Sequence, residues 1–293
     1  PDHAFADGAI NALVGINGSL YFSANDGAFQ GALWKSDGTA SGTLRIKPAS
    51  LSPSGMTELA GTIYFASNGD SLWKTDGTDE GTTLVKTVRT LGGRIEQITS
   101  INGKLLFHAN DPVAGQEPYI SDGSSTGTML LKDIRPGLDA SMGTFFTGYT
   151  PILPLNGSAF FFANDGAHGA ELWKTDATAD GTQMVHDIRP APGANSVAFP
   201  GVLVELSNRL IFQAINPDEI WSSDGSASGT VRVAPGKMHS PLVVGPHLYY
   251  FSDTLEGVAL CRTDGTSSGT QVVRNIPDPA PGLKLYPEEM KLG

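Results

Sequence analysis

Short apolar runs separated by turns rich in glycine, asparagine and aspartate fill most of the chain. Self-similarity resolves the pattern into six copies of one unit: LWKSDGTASGT from Leu33, LWKTDGTDEGT from Leu72, PYISDGSSTGT from Pro118, LWKTDATADGT from Leu172, IWSSDGSASGT from Ile220 and LCRTDGTSSGT from Leu260. Their aspartates, Asp37, Asp76, Asp122, Asp176, Asp224 and Asp264, are spaced by 39, 46, 54, 48 and 40 residues. That period is near the roughly 40–50 residues of propeller blades. All four tryptophans, Trp34, Trp73, Trp173 and Trp221, hold one repeat position, filled by Tyr119 and Cys261 in the other copies.

A second shared element precedes each copy, as in NGSLYFSAND from Asn17, NGKLLFHAND from Asn102 and NGSAFFFAND from Asn156. Asn-Gly between two apolar runs signals a hairpin, because both central residues of a type I′ turn need positive φ. Each unit therefore reads as four short strands; in the first these are NALVGI, SLYFSA, ALWKSD and TLRIK. The runs Leu20-Tyr21-Phe22 and Phe160-Phe161-Phe162 are apolar without alternation, so each face of a sheet is expected to be covered by a neighbour. Radial packing of sheets meets that need. The predicted fold is all-β, a single six-bladed β-propeller domain of four-stranded antiparallel blades. The blades run at approximately 10–48, 49–90, 91–136, 145–190, 198–235 and 236–276, with a C-terminal tail at 277–293. An open solenoid would call for distinct polar end repeats, and the end units are as apolar as the rest. Closure by packing of the first blade on the sixth is expected.

Composition narrows the function. The 293 residues carry 19 Lys+Arg against 30 Asp+Glu, a formal net charge of −11, which argues against a nucleic-acid partner because phosphate recognition draws on basic side chains. No run approaches the ~20 apolar residues of a membrane-spanning helix, so a soluble globular protein, expected to be a monomer, is the reading. The 36 glycines and 19 prolines follow no collagen period and mark tight turns. A single cysteine, Cys261, excludes an intrachain disulfide; in a tryptophan's place it reads as a buried filler. A start at Pro1 without a leader pattern reads as a mature form or an excised domain.

The segments ELWKTD at Glu171, the DGTxxGT turns and DIRPG at Asp133 resemble the bacterial ELWxxDGT repeat family, over roughly residues 10 to 276. The resemblance implies a tandem-repeat propeller segment of a large secreted or surface-exposed bacterial protein, and it brings no catalytic residues. Ala177, Pro118-Tyr119 and Cys261 depart from the pattern.

Several side chains invite a chemical role. The DGT aspartates could be cation ligands, but an Asx turn explains Asp-Gly-Thr without one, and a Ca²⁺ site needs six to eight oxygens. The loop after the second strand holds Asp26, Asp111, Asp165 and Asp253; in the fourth unit Asn164, Asp165, His168 and Glu171 fall close together, the best place for weak Ca²⁺ binding, with a solvated turn as the plainer reading. Glu58 and Glu205 hold one position in the second and fifth units and are expected to line a central channel, either as solvated carboxylates or as a pair able to capture a cation. Arg135 and Arg189 recur in IRPG and IRPA segments and could hold an anion, while Tyr149 and Tyr286 could stack on a sugar. The six histidines form neither a paired-histidine metal motif nor a nucleophile elbow.

Two functions follow as expectations. The first is a non-catalytic binding or spacer module, extracellular or at the bacterial cell surface, that contacts a glycan or protein partner through propeller loops. The alternative is a metal-dependent hydrolase or lyase with its site at the channel mouth, near the insertion from Gly137 to Thr150; it rests on fold analogy.

Overall fold

The structure, a computed structural model, describes residues 11–25, 28–47, 49–88, 94–141, 151–188, 190, 202–215, 217–255 and 257–277. Among these residues lie 24 strands in six four-stranded antiparallel sheets. Blade 1 comprises β1 (Asn11–Ile16), β2 (Ser19–Ala24), β3 (Ala32–Ser36) and β4 (Leu44–Arg45), one strand in each of the four runs read from the sequence, the last shorter than TLRIK. Blade 2 comprises β5 (Ser54–Leu59), β6 (Thr62–Ser67), β7 (Ser71–Thr75) and β8 (Thr83–Thr87), and blade 3 β9 (Glu96–Ile101), β10 (Lys104–Asp111), β11 (Gly115–Ser121) and β12 (Met129–Leu130). Blade 4 comprises β13 (Leu153–Leu155), β14 (Ser158–Asn164), β15 (Ala170–Thr175) and β16 (Gln183–His186). Blade 5 comprises β17 (Leu203–Leu206), β18 (Arg209–Ala214), β19 (Glu219–Ser223) and β20 (Val231–Pro235), and blade 6 β21 (His239–Val244), β22 (His247–Thr254), β23 (Gly257–Thr263) and β24 (Gln271–Pro277). No helix among the described residues is long and apolar enough to cross a membrane.

The first hairpin of each blade shows why the pattern tolerates four different dipeptides. Asn17-Gly18, Asn102-Gly103 and Asn156-Gly157 have positive φ at both positions, and so do Ala60-Gly61 and Ser207-Asn208. All five have the backbone signs of the type I′ turn, whose twist matches that of the strands it joins. In blade 6 the dipeptide is Gly245-Pro246, with Gly245 at φ 59. A proline ring cannot reach positive φ, so this hairpin takes the type II′ pattern, positive at the first residue alone.

The described residues fall into two compact units, one within 1–143, 157–159 and 175–182, the other within 144–156, 160–174 and 183–293. In the first, Tyr21 and Leu33 of blade 1 pack with Ile63 and Phe65 of blade 2, and the opposite face of blade 2, with Tyr64, Ala66 and Leu72, packs with Leu105, Phe107 and Tyr119 of blade 3. Blade 2 is thus covered on both faces, as an apolar run without alternation requires. Blade 1 departs from that expectation: Leu20 is 41% exposed, because the face it shares with Phe22 and Trp34 is only partly covered. The first strands β1, β5 and β9 lie side by side, as the inner strands of adjoining blades must.

In the second unit Phe160, Phe162 and Leu172 pack with Leu210 and Phe212, and Ile211 and Ile220 pack with Leu248, Tyr250 and Cys261. Cys261 is the buried filler that its repeat position implied. Phe160, Phe161 and Phe162 are all buried.

Lysines staple one blade to the next inside the first unit. Lys86 donates to the Thr128 carbonyl at 2.6 Å, Lys132 to the Thr182 carbonyl at 2.6 Å, and Lys47 to Asp79 at 2.7 Å. Each ammonium meets the second turn of the following repeat, whose carbonyls would otherwise face water.

Candidate functional site

The repeated turn consumes most of the conspicuous polar chemistry. In blade 2, Asp76 Oδ1 accepts from the Thr78 backbone N–H at 2.9 Å and from the Thr78 hydroxyl at 2.7 Å, the Asx turn expected from Asp-Gly-Thr. The Thr78 hydroxyl in turn accepts from the Gly81 N–H at 3.0 Å, and the Thr82 hydroxyl donates to the Thr78 carbonyl. Thr75 and Thr82 share a buried hydroxyl–hydroxyl bond at 2.7 Å. The same hydroxyl pair recurs as Ser36 with Thr43, Ser121 with Thr128, Thr175 with Thr182, Ser223 with Thr230 and Thr263 with Thr270. The hydroxyl and N–H of the residue two along the chain, Thr78, Ser124 and Thr266, hold the carboxyls of Asp76, Asp122 and Asp264 below the usual range, and the oxygen they use is committed to the turn.

The ELW glutamate is structural as well. Glu171 is 1% exposed and accepts from the Ile188 N–H at 3.1 Å. Its counterpart in blade 3, Glu117, is wholly buried and accepts from the Ile134 N–H at 3.0 Å, the Arg135 N–H at 3.2 Å and the Ser141 hydroxyl. A buried carboxylate thus ties down the backbone of each D-I-R-P segment, over the same 17-residue separation. Burial pushes the Glu117 carboxyl up to about 7, although these bonds pull the other way; nearby Asp133 adds to the rise.

The fourth-unit cluster does not gather into a cation cage. Asp165 Oδ1 accepts from the Ala167 and His168 N–H groups at 2.9 Å, and Asp165 Oδ2 lies 2.7 Å from His168 Nδ1. Partial burial opposes ionisation of Asp165, but the His168 contacts outweigh it and hold its carboxyl low, while the hydrogen bond that His168 donates to Asp165 raises the exposed imidazole. Asn164 accepts from the Gly166 N–H at 2.7 Å. Glu171 is withdrawn into the core within β15, where Ala170, Leu172 and Trp173 on both faces of the strand are buried as well. Among the described residues no three His, Cys, Asp or Glu side chains group as metal ligands. Asp111 accepts from the Val113 and Ala114 N–H groups and from the Tyr119 hydroxyl, and Asp253 lies 3.7 Å from Lys237 and 3.5 Å from His239. Asp26 lies outside the described residues.

Glu58, on β5 in the first unit, accepts from the Gly61 N–H and so closes its own hairpin. Glu205, on β17 in the second unit, is exposed. Arg135 pairs with Asp139 at 3.0 Å on the surface, the local pairing that competes with an anion-binding role. Arg189, Tyr149 and Tyr286 lie outside the described residues, as does most of the Gly137 to Thr150 insertion.

One concave site stands apart from these turns, and sequence reasoning missed it. A cleft of about 660 Å³ in the first unit opens between blades 1 and 2. One wall is the end of β2 and the following loop, with Ser23, Asn25, Gln30 and Gly31. The floor is the blade 1 to blade 2 connection at Ser52, Pro53 and Ser54, and the far wall is the β6–β7 turn at Asn68 and Gly69 with Arg94 beyond it. Backbone bonds fix the walls: Ser52 N–H to the Gly31 carbonyl at 2.8 Å, Asn68 N–H to the Leu51 carbonyl at 3.1 Å, and Ile95 N–H to the Gly69 carbonyl at 2.6 Å. A Cβ on Gly31 would stand 2.6 Å from the Ser52 Cα, so only glycine lets these segments meet. The site is assembled from four segments far apart in sequence, each unremarkable alone.

No protein-family profile matches the chain, and no curated protein matches it in sequence. Solved structures do match in fold. A computationally designed protein aligns over 89% of this chain and 72% of its own, with a TM-score of 0.53 at 14% identity. A prolyl endopeptidase aligns over 92% of this chain and 43% of its own, with a TM-score of 0.56 at 12% identity, and puromycin hydrolase over 92% and 46%, with a TM-score of 0.52 at 13% identity. The chain spans less than half the length of these two enzymes. With the six four-stranded sheets, these likenesses make the fold a six-bladed β-propeller of four-stranded antiparallel blades.

Proposed function

We propose that the chain is a non-catalytic binding module of a secreted or surface-exposed bacterial protein, built from ELWxxDGT-type repeats, and that it contacts a glycan partner through propeller loops. The observation that carries this reading is the cleft between blades 1 and 2. Among the described residues its polar lining is hydroxyls, carboxamides and one guanidinium, held on backbone that is itself hydrogen-bonded. These groups recognise a polyhydroxylated ligand by donating and accepting hydrogen bonds, and none of them is a nucleophile activated by a neighbouring base.

The distribution of the remaining polar groups supports the same reading. The DGT aspartates, Glu117, Glu171 and Glu58 each satisfy backbone N–H groups in their own blade, so their spacing follows the fold. The test is a glycan array probed with the purified chain, beside a pull-down from bacterial envelope material. Saturable binding to a glycan class, abolished by filling the cleft with Ser52→Trp, is the expected result. Glycan binding that Ser52→Trp leaves unchanged would move the site elsewhere, and two empty screens would leave only a spacer.

A further inference from the structure

The cleft carries a more specific chemistry than its hydroxyls and amides alone, and this inference rests on the binding-module reading. Arg94 stands at one wall, and among the described residues no carboxylate lines the cleft or pairs with its guanidinium. Three other arginines have their guanidinium committed within the fold: Arg135 with Asp139, Arg232 with Glu219 at 2.7 Å, and Arg209 with the Ser222 hydroxyl and the Gly229 carbonyl.

Arg94 is also placed by the backbone. The next residue, Ile95, donates its N–H to the Gly69 carbonyl, and a Cβ on Gly69 would lie 3.2 Å from the Arg94 Cγ. The bare glycine therefore leaves a seat for the arginine's aliphatic stem. Across the cleft, Asn25 spends its carbonyl on the Gly31 N–H at 2.7 Å, which leaves its amide donors for a ligand.

The geometry points to a saccharide bearing a carboxylate, a uronic acid residue, as the ligand of this cleft. The guanidinium fork matches a carboxylate with two parallel hydrogen bonds. The sugar hydroxyls would meet Asn25, Gln30 and Asn68 on the walls and Ser52 and Ser54 on the floor. An acidic peptide is disfavoured because, among the described residues, Pro53 is the only apolar side chain in the lining, and peptide recognition draws on apolar pockets or a free strand edge. The net charge of −11 does not oppose such a ligand, since charges beyond about 8 Å are screened at physiological salt.

The experiment is calorimetric titration of the whole chain with trigalacturonic acid and with its fully methyl-esterified form. Wild-type protein is expected to bind the acid saturably, and the ester about tenfold or more weakly. Arg94→Met should weaken the acid by about tenfold to a hundredfold, with Arg94→Lys falling between because it keeps the charge and loses the fork. Because Arg94 is exposed, an unchanged melting temperature is expected to show that both variants fold. Equal binding of acid and ester, or of wild type and Arg94→Met, overturns carboxylate recognition, and so does an absence of saturable binding at millimolar acid. A neutral glycan found on the array and blocked by Ser52→Trp would in those cases leave the binding module standing without its acidic ligand.

Discussion

Glu117 has no exposed surface and no positively charged partner among its hydrogen bonds; the groups that face it are two backbone N–H groups and a hydroxyl, with Asp133 nearby. Desolvation therefore wins, and its carboxyl rises to about 7 from an ordinary 4.5. The folded state binds this proton more tightly than the unfolded chain, so the stabilisation it brings is complete below about pH 4.5 and is lost as pH rises through about 7. His108 acts in the opposite sense. It is 2% exposed, its Nε2 lacks a hydrogen-bond partner, and burial lowers it to about 3 from 6.5, so its contribution is present above pH 6.5 and is lost as pH falls. Between pH 4.5 and 6.5 the two slopes oppose each other. Urea midpoints measured from pH 4 to 8 should show this: Glu117→Gln removes the decline towards pH 7, and His108→Phe, the residue at the same repeat position as Phe162, removes the loss on acidification. His108→Phe should also raise stability at neutral pH by about 1 kcal/mol, because an unpaired buried nitrogen is replaced by an apolar ring. Unchanged slopes in both variants would mean that neither side chain titrates across folding.

The second turn of each repeat is a small machine of one aspartate, two hydroxyls and two glycines, the first glycine replaced by Ala177 in the fourth repeat. A Cβ on Gly81 would stand 2.0 Å from Asp76 Oδ1, and the same separation recurs at Gly42, Gly127, Gly181, Gly229 and Gly269. The second glycine of DGTxxGT is therefore required by the aspartate that folds over it. Gly81→Ala should cost about 1–3 kcal/mol as an overpacked contact, and much less when Asp76→Ala has already removed the carboxylate. A double-mutant cycle by chemical denaturation measures that coupling; additive costs would show that the carboxylate does not set the glycine. Ala177 tests the first glycine position. It sits at φ 73, where the other blades place glycine, so Ala177→Gly should stabilise by about 1 kcal/mol, and a loss of stability would contradict the strain.

At this scale the sequence was readable where a signal is local and repeated. Asn-Gly and Asp-Gly-Thr name their turns because positive φ and Asx geometry are properties of three or four residues. Glu171 reads as a possible cation ligand because His168 and Asp165 are its neighbours along the chain, whereas the structure buries it in β15 and turns its carboxylate to the Ile188 N–H, a partner 17 residues away. The 17-residue spacing from Glu117 to Ile134 and from Glu171 to Ile188 was the available signal, in two copies only. The cleft left no such trace, since Asn25, Ser52, Asn68 and Arg94 come together only through the packing of blades.

Across the whole molecule, stability should follow how completely each blade is covered, because a repeat contacts only its neighbours and its stability sums from those interfaces. Blade 2 is packed on both faces, with Phe65 and Leu72 wholly buried, whereas every residue of β24 is exposed and Leu242 and Val244 of β21 are 63% and 53% exposed. Exchange of a strand amide requires its hydrogen bond to open, and opening is easiest where few apolar contacts must break. Native-state hydrogen exchange should therefore find the amides of β6 and β7 among the slowest in the chain and those of β24 among the fastest strand amides, although β24 is paired along its length with β23. Phe107→Ala, which empties a wholly buried ring site in the cluster between blades 2 and 3, should cost about 3–5 kcal/mol and accelerate exchange in β6 before it affects β24. Equal protection of β24 and β6 would mean that something other than the described residues covers the last blade, and protection that grows with protein concentration would identify that cover as a second copy.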